Sequence, residues 1–133
     1  MNTKQIKMAI IILSIVGILD STYLIASELS GSPVACPTRG IINCGTVLSS
    51  PYSYLFGIPV SLLGLIFFIG ELIVYKLKNR ELLAFYNAIG LAVIIYFLYV
   101  DIIVLRAICI YCTLVHIAVI LLFIISLLYL NKE

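Results

Sequence analysis

Charge is what this chain has least of. Only 11% of its 133 residues are Asp, Glu, Lys or Arg, while 64% are apolar. A soluble domain carries about 25% charged residues. With so little polar material to face water, an ordinary soluble globular domain is excluded, and lipid must be the solvent over most of the surface. The formal net charge of +2 is also small, so nothing points to nucleic acid or another acidic polymer as a partner. There is no internal repeat and no low-complexity tract. At this length there is no room for a second folded module, so residues 1–133 are expected to form one membrane domain.

What is present is a set of long apolar runs. A helix needs about 20 mostly apolar residues to cross the hydrocarbon. Four segments meet that length, at about 8–27, 57–75, 82–103 and 109–130. A membrane barrel would show alternating segments of about 10 residues, and these runs are continuous. The expected fold is therefore an all-α integral membrane protein, a four-transmembrane-helix bundle. The first run follows Lys4 and Lys7, as a signal peptide would, but it contains Asp20 and lacks a small-residue cleavage site. It is read as a retained helix.

The basic residues set the orientation. Lys4, Lys7, Lys76, Lys78, Arg80 and Lys132 fall on one side of this topology, and Arg39 and Arg106 on the other. Both termini are therefore expected in the cytoplasm of a multi-pass cell-membrane protein. The long loop between the first two helices, about 28–56, then lies outside. Loops of that length in a compact protein are usually functional or disordered. Tyr52 and Tyr54 in it suit the membrane interface, where amphipathic rings collect.

All four cysteines fall on that outer side, where disulfides persist. Cys109 and Cys112 form a CxxC at the start of the fourth segment. Residues three apart share a helix face. The unpaired N–H groups of a first helical turn favour a thiolate, the reactive form in exchange. Arg106, just upstream, adds positive potential. Cys36 and Cys44 bracket seven residues of the loop. A bridge closing that ring would stabilise it by about 3 kcal/mol. Read alone, the loop pair is first a structural staple, whereas the CxxC points to exchange ahead of a structural disulfide or two buried free cysteines. Together, on one face, they allow thiol–disulfide exchange through a mixed disulfide. A four-thiolate metal centre normally uses two short CxxC knuckles, which this spacing does not provide, so no metal is expected.

The segment CPTRGIINCGTVLSS (36–50), then FGIPVSLLG (56–64), then CIYC (109–112) resembles the vitamin K epoxide reductase family. The likeness is greatest to its small microbial members without a fused thioredoxin domain, and it covers essentially the whole chain. It implies a four-helix bundle around a quinone, with the cysteine loop over the pocket. It further implies that Cys109 and Cys112 are the active-site pair, with Cys112 facing the quinone. Cys36 and Cys44 become the shuttle pair, Cys44 exchanging with Cys109 and Cys36 meeting an external partner. Ser50 matches the loop serine near the active centre.

The implied cofactor is a quinone of the menaquinone, ubiquinone or vitamin K type. The implied partner is a secreted or membrane-anchored thioredoxin-like protein. The implied output is disulfide formation outside the cytoplasm. His116 stands where animal-type members carry a tyrosine, one turn after the second cysteine. It is a candidate donor to a quinone oxygen, and its presence puts epoxide reduction in question. Asp20, an acid inside the first helix, is a candidate proton relay or a paired structural group. Phe56, Leu114, Tyr96 and Tyr99 are candidate pocket residues by depth. Two competing readings remain at this point. One keeps the enzyme class but makes quinone or quinone-epoxide reduction the physiological output. The other is a non-catalytic membrane subunit stapled by two disulfides.

Overall fold

The computed structural model describes residues 2–30, 42, 51, 54–55 and 57–131. The element order is α1 (Thr3–Ser30), β1 (Tyr54–Leu55), β2 (Ile58–Pro59), α2 (Val60–Lys76), α3 (Arg80–Tyr99), a π-helical turn (Val100–Val104) and α4 (Ile110–Asn131). The expected helices are all present, and a two-residue hairpin precedes the second. β1 pairs antiparallel with β2, Tyr54 opposite Pro59 and Leu55 opposite Ile58. Gly57 sits at the tip with φ 78°, a left-handed conformation that glycine adopts without a Cβ penalty.

The expectation of four membrane-spanning helices is corrected. Among the described residues, three helical stretches are long and apolar enough to cross a membrane: Thr3–Ser30, Arg80–Val104 and Ile110–Asn131. α2 has 17 residues. At about 1.5 Å per residue it is about 25 Å long, short of a hydrocarbon core of about 30 Å. The hairpin is the physical reason. Pro59 serves as its N-cap residue with ψ 135°, so Gly57, Ile58 and Pro59 go to the turn and strand rather than to the helix. Inside the bundle α2 still leads from one end to the other. Val60 and Ser61 lie by Cys112, while Lys76 lies by Lys7 and Tyr129.

α1 packs on α2 and α4, and α3 packs on α4 and α2. The buried core, including Ile6, Ile10, Phe68, Leu83, Leu122 and Tyr129, fills the end where α1 begins. Gly17 permits the α1–α2 contact, since a Cβ there would stand 2.5 Å from the Phe68 ring. The turn into α3 is closed by Asn79, whose side chain accepts from Leu82 N–H at 3.1 Å. This is the arrangement that makes Asn a preferred N-cap.

One polar pair crosses the core. Asn87 Nδ2 donates to Glu71 Oε1 at 3.0 Å, and both residues are fully buried. Glu71 is thereby directed inward, onto α3, and away from the basic turn that follows α2.

Candidate functional site

The CxxC sits where the chain turns from the π-helical segment into α4. The Leu105 N–H donates to the Val100 carbonyl at 2.8 Å, and the Ala107 N–H to the Asp101 carbonyl at 3.0 Å. Arg106 takes up a left-handed φ of 52°, unusual for a residue with a Cβ. Cys109 follows, immediately before the first residue of α4. Its carbonyl accepts from the Thr113 N–H at 2.9 Å and from Thr113 Oγ1 at 2.7 Å. Both cysteines are free thiols.

Cys109 has no exposed surface and packs with Ala107, Leu105, Tyr111 and Cys112. A hydrogen bond from the Cys112 thiol lowers the Cys109 pKa below the usual thiol value. Burial opposes this, while the backbone N–H groups of Cys112 and Tyr111 support it. Those N–H groups are the orphan donors of a first helical turn. The lowering therefore comes from Cys112 and the helix start. Arg106 is exposed and is not among the groups acting on the thiol.

Ile42 connects the loop to this turn. Its backbone forms a parallel bridge with Ile108, the residue before Cys109. Ile42 lies between Cys36 and Cys44 in sequence. Cys36, Cys44, Ser50 and Phe56 lie outside the described residues.

On the other side of Cys112 is a cavity of about 400 Å³ enclosed by all four helices, within the usual size of small-molecule sites. Leu24, Phe67, Phe68, Phe97 and Val119 give it apolar walls. Ser21, Glu28, Ser61, Tyr86, Asp101 and His116 contribute polar groups. His116 is buried, and its Nδ1 has no partner among the described residues. Cys112 lines the cavity, whereas Cys109 is not among the described lining residues.

Asp20 is buried on α1, outside the described lining. One of its carboxylate oxygens is unpartnered among the described residues, and it lies within electrostatic reach of Cys109. Leu114 is 43% exposed and turned away from the cavity, as are Tyr96 and Tyr99.

Sequence reasoning missed Asp101. It is 6% exposed and lines the cavity. An acid at the end of an apolar run was the available signal. What turns it inward is the π-helical turn, whose i→i+5 spacing departs from the α-helical period.

The description of the Vitamin K epoxide reductase family matches residues 8–127. Thiol-disulfide oxidoreductase LTO1 of Arabidopsis thaliana is 38% identical over 50 residues. Those residues are 38% of this chain and 13% of that protein, so the chain spans a small part of that relative's length. A match running from the start of α1 nearly to the end of α4, with a CxxC thiol pair opening onto a buried cavity, shows that the chain belongs to the Vitamin K epoxide reductase family.

Proposed function

We propose that this protein is a membrane thiol oxidoreductase that carries electrons from a thioredoxin-like partner, through its two cysteine pairs, to a quinone. Its output is disulfide formation outside the cytoplasm. The single observation that supports this most is the Ile42–Ile108 bridge. It sets Ile42, which lies between Cys36 and Cys44 in sequence, beside the residue before Cys109, while Cys112 borders the cavity. Two structural disulfides would need neither feature.

In this reading the partner's two thiols reduce the Cys36–Cys44 disulfide and become a disulfide themselves. The Cys44 thiolate attacks the sulfur of Cys109 in an oxidised Cys109–Cys112 pair. A Cys44–Cys109 bond forms, and Cys112 leaves as a thiolate. Attack of Cys36 on Cys44 then re-forms Cys36–Cys44 and releases Cys109. Two electrons leave through Cys112, and the Cys109–Cys112 disulfide returns. The helix start and the partner thiol that lower Cys109 also make it a good leaving and re-attacking group.

A quinone, when bound, supplies the two-electron, two-proton acceptor. The cavity fits such a group. Its walls are apolar, and His116, whose Nδ1 has no partner among the described residues, would donate to a carbonyl oxygen of the bound group. Orientation follows the charges: Lys7, Lys76, Lys78 and Arg80 gather at the end of the bundle opposite Cys109 and Cys112. That end is cytoplasmic by the positive-inside rule.

The test is quinone absorbance after adding a reduced thioredoxin-like protein and a soluble quinone to the purified protein. Thiol-dependent quinone loss that disappears in Cys112→Ala and in Cys36→Ala is expected. Folded protein that turns over with no quinone and no dithiol partner would refute the reading.

A further inference from the structure

We propose that the cleft at the basic end of the bundle binds the headgroup phosphate of an anionic phospholipid. Lys7 of α1, Lys76 of α2, Lys78 of the α2–α3 turn and Arg80 of α3 line one cleft of about 590 Å³ together with Tyr129 of α4. Three of these cations come from the single turn between α2 and α3, and Lys7 joins them from α1. No acidic side chain lines the cleft among the described residues. Glu81, beside Arg80 in sequence, is exposed and is not part of the lining.

The guanidinium is held in place. Arg80 Nη1 donates to the Tyr129 carbonyl at 3.2 Å, and its carbon stands 4.4 Å from the centroid of the Tyr129 ring. Stacking on an aromatic face and bonding a terminal helix carbonyl fix the planar group, while most of its five N–H donors are left for an anion. A donor fixed before binding loses less entropy when the anion arrives.

The depth of the cleft selects the source of the phosphate. Lys76 ends α2, Arg80 begins α3 and Tyr129 lies in the last turn of α4, so the charges stand at headgroup level. The inner wall is Ile11 and Leu72, each one helical turn deeper than Lys7 and Lys76. Met8, Ile12 and Ile73 are exposed beside them and continue the apolar surface. Cations above an apolar wall match a phosphate carried on acyl chains. A free anion has no use for the wall. Basic pockets between transmembrane helices recognise lipid headgroups in this manner. The cleft is at the opposite end from Cys109 and Cys112, so lipid binding is separable from thiol chemistry.

The experiment offers detergent-purified protein an equimolar mixture of phosphatidylglycerol and phosphatidylcholine with identical acyl chains, and counts retained lipid by native mass spectrometry. Preferential retention of phosphatidylglycerol is expected. The preference should fall about tenfold in the double variant Lys76→Gln/Lys78→Gln. Both lysines are exposed, so the fold tolerates the change. Lys4→Gln, which lies outside the cleft, should keep the preference. Equal retention of the two lipids would overturn the proposal. So would an equal loss in Lys4→Gln, which would mean that net charge alone is read. Displacement of phosphatidylglycerol by millimolar inorganic phosphate would overturn the lipid source in favour of a soluble anion.

Discussion

Cys109 is a buried thiol whose ionisation is helped by two neighbours, the Cys112 S–H and the opening N–H groups of α4. Because its pKa is lowered, the thiolate persists to lower pH than it would without those neighbours. Thiolate absorbance of the reduced protein in a Cys36→Ala/Cys44→Ala background reports that midpoint. Replacing Cys112 with Ala removes the largest lowering influence and leaves burial in place, so the midpoint should move up. A midpoint unchanged by that substitution would assign the lowering to the helix start alone. At His116 the expectation concerns affinity. His116→Leu keeps the cavity apolar and removes a buried donor, and one hydrogen bond is worth about 1 kcal/mol. The KM for quinone should rise about fivefold, with the thiol exchange between the two cysteine pairs unchanged.

Among the elements, α2 is set by its boundaries. Its apolar run suggested a full span, but the hairpin removes the first residues and leaves a helix of 17. Its place in the bundle depends on close approach at Gly17. Gly17→Ala should cost about 1–3 kcal/mol through overpacking against Phe68, seen as a lower thermal midpoint in detergent. Adding Phe68→Leu should recover part of the loss, because the two sites share one contact. No recovery would mean that the strain lies in the α1 backbone. The Glu71–Asn87 pair links α2 to α3 in the same way. Asn87→Leu should destabilise more than Glu71→Gln, since it leaves the Glu71 carboxyl buried without its donor.

For the whole molecule, the two ends carry opposite chemistry. Cys109 and Cys112 lie at one end, with Cys112 on the cavity, and the cationic cleft lies at the other. With the native cysteines replaced, Leu77→Cys in the basic turn should react with a membrane-impermeant maleimide only after permeabilisation. Arg106→Cys should react in intact cells. The reverse pattern would invert the proposed orientation and put the cysteines in a reducing compartment.

Sequence alone determined the membrane solvent, the order of the helices and the CxxC at the mouth of the last one. These depend on composition, run length and i,i+3 spacing, all of which are local. It also carried the family, through motifs that stay recognisable in order along the chain. Tertiary structure decided the rest. α2 falls short of a span because Pro59 and Gly57 were drawn into a hairpin, a pairing that hydropathy does not register. Asp101 lies in a π-helical turn and faces the cavity, which run length and depth do not register, whereas Tyr96, Tyr99 and Leu114 have suitable depth but the wrong azimuth. The bridge from Ile42 to Ile108, and the approach of Lys7 and Tyr129 to the Lys76–Arg80 turn, join residues distant in sequence. Such contacts arise only once the helices have packed.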